Sequence, residues 1–267
     1  MRGLQGKKAI VTGGAQGIGR SCMAAFSGYS CSIVFSDLEV DTGTANEAEL
    51  RAQGANVHFI HGDMGSEESC EQQVAFAVDK LGGVDYLINN AFSFVATGVK
   101  STRSQWELSL MVGPVAFAKM TQLVVEPMQK AGAGAVVNIS RISAHIAQPN
   151  RWTSNAAKGA VDQFTKYSAL DLAPPSICVN SVSPGWIWTR AVDEAAGYDR
   201  EKYDPIWGKY PMLRRCGYPE EAASAVMFLC SDEANFITGT DLPVDGGYLG
   251  LGGEGVGEAS IIPGTVD

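Results

Sequence analysis

The chain has no surplus of positive charge, few histidines and no closely spaced pair of cysteines. Lys and Arg number 20 against 29 Asp and Glu, and the net charge of −9 argues against partners such as nucleic acid or an anionic membrane. The six cysteines are scattered, so we expect reduced thiols and no disulfide framework or metal site. No apolar run is expected to span a bilayer, and no long apolar leader is visible, which predicts a cytoplasmic protein.

Short β-rich runs alternate with helical patterns along the chain, and 267 residues suit one large α/β domain. This alternation predicts a parallel sheet with helices on both faces, a single Rossmann-type doubly wound domain over residues 1–248. A glycine-rich C-terminal extension, 249–267, follows it. The predicted strands are 8–12, 32–36, 57–60, 84–88, 135–139, 177–182 and 239–244, and the predicted helices are 18–29, 67–81, 104–130, 155–172 and 220–230. Pro114 and Pro127 are expected to disturb the long fourth helix.

A glycine-rich loop follows the first predicted strand and opens the first helix. Gly13, Gly17 and Gly19 would allow a tight turn, close approach of the backbone to a pyrophosphate, and close packing of helix on strand. Asp37 ends the second strand, where a carboxylate accepts hydrogen bonds from ribose hydroxyls and repels a 2′-phosphate. The sequence therefore predicts a site for NAD(H), in preference to NADP(H).

Several motifs, taken in order over about residues 4–248, resemble the short-chain dehydrogenase/reductase family. Residues 89–92 resemble its Asn-Asn-Ala-Gly motif, 180–189 resemble its Asn…Pro-Gly-x-x-x-Thr segment, and 239–247 resemble its C-terminal signature. The resemblance implies a small-molecule ligand, a substrate lid at about 190–215, and a homotetramer or dimer formed through helices 104–130 and 155–172 and the last strand. The cofactor-binding residues that it implies are Gly13, Gln16, Gly17, Ile18, Gly19, Asp37, Asp63, Asn90, Lys158, Pro184, Gly185, Ile187 and Thr189.

The chain departs from this family at three of its four catalytic positions. Lys158 is kept, but Ser154 stands where the family has its tyrosine, Arg141 where it has its serine, and Gly113 where it has its asparagine. In the family the tyrosine is the acid or base for the substrate hydroxyl, and the lysine lowers its pKa and binds the nicotinamide ribose. An aliphatic hydroxyl is far too weak an acid for that task. A permanently charged guanidinium can donate hydrogen bonds to an oxygen but cannot act as a base.

Other residues leave alternatives open at this site. Phe92 replaces a glycine beside the cofactor, where it would crowd the pocket or supply an apolar wall. A slip of one or two residues would make Ser140 or Ser143 the catalytic serine. His145 is either an acid–base group or a structural loop histidine, and either Tyr203 or Tyr210 in the lid could supply a phenol from another direction.

Three functions follow, with Lys158, Arg141, Ser154 and His145 as the candidate catalytic residues. The first is an NAD(H)-binding protein whose ordinary alcohol–ketone dehydrogenase activity is lost or strongly impaired. The second is an enzyme with changed chemistry, in which Arg141 and Lys158 bind an anionic or enolic substrate for a non-standard reduction or a redox-neutral cyclisation or isomerisation. The third is an ordinary oxidoreductase with an unrecognised proton donor. The first is favoured.

Overall fold

A computed structural model describes residues 1–93, 95–252 and 255. Seven parallel strands form one sheet in the order β3-β2-β1-β4-β5-β6-β7, which confirms the predicted doubly wound Rossmann-type fold. The strands are β1 (Lys8–Thr12), β2 (Ser32–Asp37), β3 (Asn56–His61), β4 (Tyr86–Asn89), β5 (Gly134–Ile139), β6 (Ile177–Pro184) and β7 (Asp241–Val244). The helices are α1 (Gly17–Ser27), α2 (Val40–Ala52), α3 (Glu67–Leu81), α4 (Arg103–Leu110), α5 (Ala116–Ala131), α6 (Trp152–Leu172), α7 (Arg190–Ala195), α8 (Arg200–Trp207) and α9 (Pro219–Cys230).

The central strands are apolar and buried on both faces because helices cover each side of the sheet. One core layer joins the sheet to α1 and α9, and the other joins it to α3, α5 and the end of α6. The strand order reverses between β1 and β4, which is the topological switch point where open α/β sheets bind ligands. The glycine loop after β1 and Asn90 after β4 both lie at this point.

Helix α2 was not predicted from the sequence. Its pattern is weak because Gly43 and two threonines interrupt a largely polar segment. Gly43 has a packing reason, since a Cβ there would meet the Phe59 ring at 2.5 Å. Helices α7 and α8 were not predicted as helices either. The predicted strands and the predicted helices other than the long fourth helix begin and end within a few residues of the observed bounds.

The predicted long helix is interrupted by a π-helical turn, Met111–Val115. Gly113 has a non-helical backbone (φ −92°, ψ −109°) just before Pro114, so the expected disturbance at this proline is confirmed. The expectation for Pro127 is wrong, because α5 runs through it to Ala131. The kink places the backbone of Gly113, and not a side chain, toward the centre of the site.

The segment Arg103–Ala131 spans 29 residues and contains an 18-residue stretch with a mean hydropathy of 1.5, enough by length and composition to cross a membrane. The prediction that no apolar stretch is long enough to span a bilayer was therefore wrong. Core helices pass the same test, and in α5 the side chains of Phe117, Met120 and Val124 are fully buried within the fold. Residues on the outer side, including Leu108 and Met111, are more than 40% exposed.

Helices α7 and α8 lie within the predicted lid, 190–215. The predicted glycine-rich extension falls largely outside the described residues.

Candidate functional site

The glycine loop has the backbone geometry that a bound pyrophosphate requires. Gly13 and Gly17 adopt positive φ angles of 67° and 57°, which side chains disfavour. A Cβ at Gly19 would collide with the carbonyl oxygen of Gly13, so only glycine allows this close packing of helix on loop. Gln16 precedes the first residue of α1 and Ile18 lies in its first turn, so the backbone N–H groups of the helix start open toward the crevice.

Two of the predicted cofactor-binding residues are carboxylates at or just after the carboxyl ends of strands. Asp37 Oδ2 accepts a hydrogen bond from the Ala15 N–H at 2.9 Å, and its Oδ1 accepts one from the Glu39 N–H at 3.1 Å. These bonds fix a negative charge against the glycine loop. Asp63 follows β3, and its Oδ1 accepts from the Gly65 N–H at 2.8 Å. Both residues lie where the sequence placed them, beside the loop and at the carboxyl end of the sheet.

Asn90 contacts the glycine loop itself. Its Nδ2 donates to the carbonyl oxygens of Thr12 (2.9 Å) and Gly13 (2.8 Å). The Thr12 hydroxyl accepts in return from the backbone N–H groups of Asn90 (3.0 Å) and Ala91 (3.1 Å). Asn90 is thus a residue that positions the loop, because its side-chain amide is committed to the protein backbone.

The segment after β6 faces the loop from the other side. Pro184 ends the strand, and the Gly185 N–H donates to the Val244 carbonyl oxygen at 3.0 Å. Ile187 is buried and pairs with Gly217. A Cβ built on Gly17 would lie 3.5 Å from the Thr189 methyl carbon, so the two predicted cofactor-binding segments meet across the crevice.

Lys158 is turned into the protein and covered. It is 3% exposed, and its Nζ donates to the Ile139 carbonyl oxygen at 2.6 Å. The same Nζ lies 3.9 Å from the centre of the Phe92 ring and 5.4 Å from that of Phe117. Burial, and secondly the charge of Arg141, lowers the pKa of Lys158 to about 7. Lys158 is therefore not a surface residue, although it lies in the second turn of a helix.

Phe92 fills the space beside Gly113. A Cβ at Gly113 would lie 2.8 Å from Phe92 Cε2, closer than the ring allows without moving. Phe92 therefore occupies the volume that a side chain at position 113 would need, and it covers the lysine at the same time. Of the two sequence-based alternatives for Phe92, the structure shows crowding of the pocket.

Ser154 is 1% exposed, and its Oγ has no hydrogen-bond partner among the described residues. The neighbouring Thr153 hydroxyl instead donates to the Val95 carbonyl oxygen at 2.7 Å. Leaving a hydroxyl buried without a partner costs about 1–3 kcal/mol. In the part of the chain that the structure describes, no group is hydrogen-bonded to the Ser154 hydroxyl to activate it.

Arg141 follows β5 with an extended backbone and is half-buried. Within residues 1–93, 95–252 and 255, its guanidinium makes no hydrogen bond or ion pair, so its pairing with a surface carboxylate is not observed there. Burial, with the charge of Arg151, lowers the pKa of Arg141 to about 10. The two alternative serines are buried: Ser140 donates to the Lys158 carbonyl oxygen at 3.5 Å, and the Ser143 Oγ has no partner among the described residues.

His145 lies with two carboxylates that the sequence did not single out. Its Nε2 is 3.0 Å from Asp241 Oδ2 and 3.2 Å from Asp162 Oδ2; these three residues are called the His145 cluster below. Burial raises the pKa of Asp162 to about 6, and the nearby Asp241 adds to the rise. Asp162 stands one turn after Lys158 on an inward face of α6, and a charge at such a position was the signal available in the sequence.

The two lid tyrosines pack among tryptophans. The Tyr203 ring lies 5.0 Å from that of Trp207, and the Tyr210 ring lies 5.2 Å from that of Trp186. Trp188 joins the same cluster, so these aromatic side chains pack together in and next to the segment predicted as a lid.

Comparisons with known proteins cover nearly the whole chain. A family model described as Enoyl-(Acyl carrier protein) reductase matches residues 13–249. Cyclopentanol dehydrogenase of Comamonas sp. (strain NCIMB 9872) is 36% identical over 246 residues, which cover 91% of this chain and 96% of that protein. Dehydrogenase/reductase SDR family member 4 of Homo sapiens is 34% identical over 246 residues, covering 91% and 88%. The structure of a 7 alpha-hydroxysteroid dehydrogenase complexed with NADH and 7-oxo glycochenodeoxycholic acid matches with a TM-score of 0.86 at 30% identity, covering 91% of this chain and 94% of that one.

Proposed function

Because the chain belongs to the short-chain dehydrogenase/reductase family, we propose that it binds NAD(H) but has lost, or strongly impaired, ordinary alcohol–ketone dehydrogenase activity. The observation that carries this proposal is the Phe92 ring, which covers Lys158 and fills the space beside Gly113.

Cofactor binding is supported by the residues that remain. The loop of Gly13, Gly17 and Gly19 allows close approach of a pyrophosphate, and Asp37 supplies the carboxylate that favours ribose hydroxyls over a 2′-phosphate. A bound nicotinamide would supply hydride chemistry. The protein's part would be to bind and orient it through the glycine loop and the 184–189 segment, and to exclude water with the aromatic lid.

In this proposal, the site has no side chain that can donate a proton to a carbonyl substrate or accept one from an alcohol. No phenol stands at position 154, and Ser154 Oγ lies without a partner among the described residues. The amine of Lys158, although its pKa is lowered to about 7, is enclosed by Phe92 and donates to Ile139. A positioned general acid–base accelerates a reaction by roughly 10²–10⁴-fold, and we infer that this chain has lost that acceleration because Ser154 replaces the tyrosine.

The test is to restore the family's residues in combination. The triple variant Ser154→Tyr, Arg141→Ser, Gly113→Asn should remain inactive, because Phe92 Cε2 lies 2.8 Å from the Cβ that it introduces. Adding Phe92→Gly should produce NADH-dependent carbonyl reduction, since residues that act as a unit do not contribute additively. Calorimetric NADH binding by each variant is the control for folding. An inactive quadruple variant that still binds NADH would overturn the proposal that these four positions cause the loss.

A second candidate function is favoured by Arg141. A half-buried guanidinium without a partner among the described residues, close enough to Lys158 to lower its pKa, fits an anionic group of a ligand. Such a ligand would undergo a non-standard reduction or a redox-neutral cyclisation or isomerisation. Binding of small carboxylates that is lost in Arg141→Gln and kept in Arg151→Gln would support it.

The functional unit in this proposal is a cytoplasmic homotetramer or dimer that contacts neither membrane nor nucleic acid. The net charge of −9 supports the absence of polyanionic partners. Large apolar side chains on the outer sides of α4, α6 and the π-helical turn support the assembly, because they are exposed in the single chain. They are Leu108, Met111, Val115, Tyr167 and Leu170.

A further inference from the structure

The His145 cluster brings together side chains from three separate elements. His145 lies in the loop after β5, Asp162 on α6, and Asp241 at the first residue of β7. One ligand atom of each residue lies within 4.8 Å of the other two. The Nε2 of His145 is 3.0 Å from Asp241 Oδ2 and 3.2 Å from Asp162 Oδ2.

Asp162 has no hydrogen-bond partner in this cluster. It is 9% exposed, and both of its carboxylate oxygens are buried without a hydrogen-bond donor among the described residues. The His145 Nε2 can direct at most one proton, and Asp241 lies closer to it. The Ser140 hydroxyl lies close enough to interact with the Asp162 carboxylate, but the hydrogen bond of acceptable geometry that it donates goes to the Lys158 carbonyl oxygen, at 3.5 Å. Two carboxylates therefore face one ring nitrogen, and a buried charge of this kind is costly unless a cation compensates it.

Neighbouring side chains orient the Asp241 carboxylate through hydrogen bonds, as outer-shell residues orient the ligands of a metal ion. The hydroxyls of Ser181 and Ser183 donate to Asp241 Oδ1 at 2.7 and 2.9 Å, which orients Oδ2 toward the cluster. The side chain of His145 is 35% exposed and leaves an entry path from solvent. Neighbouring ligand atoms of an octahedral cation with bonds of about 2.1 Å lie ~3.0 Å apart, which fits the two measured distances.

We propose that His145, Asp162 and Asp241 bind a divalent transition-metal cation, of the kind exemplified by Mn²⁺ or Zn²⁺, in a structural site. One imidazole and two carboxylates form the mixed nitrogen–oxygen donor set that such cations accept, and the charge of the cation balances both carboxylates. The site ties α6, the helix that carries Ser154 and Lys158, to β7 and to the loop after β5. It does not depend on the proposed function.

The experiment measures the binding of Mn²⁺ to the metal-stripped full chain. The electron paramagnetic resonance signal of free Mn²⁺ reports how much of the ion is unbound, and Zn²⁺ is added as a competitor. Mn²⁺ is the first probe because it avoids the thiols of the six cysteines. The variants are His145→Gln, Asp162→Asn and Asp241→Asn. The matched control is His58→Gln, because His58 also contacts charged and polar side chains, Arg51 at 2.7 Å and Asn56 at 3.0 Å, but on β3.

The expected result is one Mn²⁺ per chain, displaced by Zn²⁺, with affinity reduced at least about tenfold in each cluster variant and unchanged in His58→Gln. Thermal stability should rise with Mn²⁺ in the native chain and in the control, and not in the cluster variants. The absence of stoichiometric binding to the native chain would overturn the proposal. Binding that persists unchanged in Asp162→Asn and Asp241→Asn would also overturn it.

Discussion

The amine of Lys158 lies 3.9 Å from the centre of the Phe92 ring and donates its hydrogen bond to the Ile139 carbonyl oxygen. The attraction of a cation to an aromatic face favours the charged amine, whereas burial favours the neutral amine. Burial has the larger effect here, because it is the largest cause of the lowered pKa of Lys158. Lys158 is therefore enclosed by the protein interior.

Removing the ring should therefore raise the pKa of Lys158. In Phe92→Gly, water reaches the amine, and we expect its pKa to rise from about 7 toward the ordinary range for lysine. Nuclear magnetic resonance of labelled lysine side chains over a pH series measures this. The control is Phe76→Ala, which removes a ring 5.4 Å from Lys80 and should leave Lys158 unchanged. An unchanged or lower pKa in Phe92→Gly would mean that the ring does not enclose the amine.

The Lys158 amine should also make the free energy of unfolding depend on pH. Its pKa is about 7 when folded, and that of an unfolded lysine is ~10.4, so the unfolded chain binds more protons between these values. The unfavourable contribution of Lys158 is therefore full below pH 7 and disappears as the pH rises toward 10. Urea unfolding of the native chain and of Lys158→Met should show a free-energy difference that narrows over this interval. A constant difference would indicate that Lys158 is hydrated in the folded chain.

Cofactor preference should follow Asp37. Calorimetry should show NADH bound at least about tenfold more tightly than NADPH, since ~1.4 kcal/mol of repulsion gives that ratio. Asp37→Asn retains an acceptor for one of the N–H groups of Ala15 and Glu39 but removes the charge, and it should narrow the ratio. The matched variant Asp63→Asn should preserve the ratio. Equal affinities in the native chain would remove the nucleotide role of Asp37.

Assembly should follow the exposed apolar residues of α6. Light scattering of the native chain should give a dimer or tetramer of the 28.2 kDa protomer at micromolar concentration. Tyr167→Glu with Leu170→Glu should shift it toward the monomer, because these residues are 62% and 72% exposed in the single chain. Val99→Glu, at a 76% exposed residue away from α6, is the control. A native monomer would contradict the expected interface.

The sequence was sufficient for the sheet because each strand is a short apolar run between turn residues. It was insufficient for α2, where Gly43 and its neighbours weaken the helical pattern and only the Phe59 contact explains the glycine. Elements with a clear period are specified locally, and elements held by one tertiary contact are not.

The same distinction applies to the site. Gly13 directly follows β1, Gly17 begins α1 and Asp37 ends β2, so their positions could be predicted from the topology. Pro114 indicated the kink at Gly113, but the position of Phe92 over Lys158 also depends on the conformation of the loop after β4, which no residue pattern predicts. The partners of His145 lie 17 and 96 residues away along the chain, so only the fold brings them together.

The most direct test of the proposed loss of activity is turnover by the native chain. The native protein, shown by calorimetry to bind NADH, would be incubated with a panel of aldehydes, ketones, secondary alcohols and keto acids while NADH absorbance is followed. We expect turnover at least about 10²-fold below that of an active relative assayed in parallel, the lower bound for losing a positioned acid–base group. Brisk reduction of any carbonyl substrate would contradict the account, and Tyr203, Tyr210 and His145 would then be the first residues to replace.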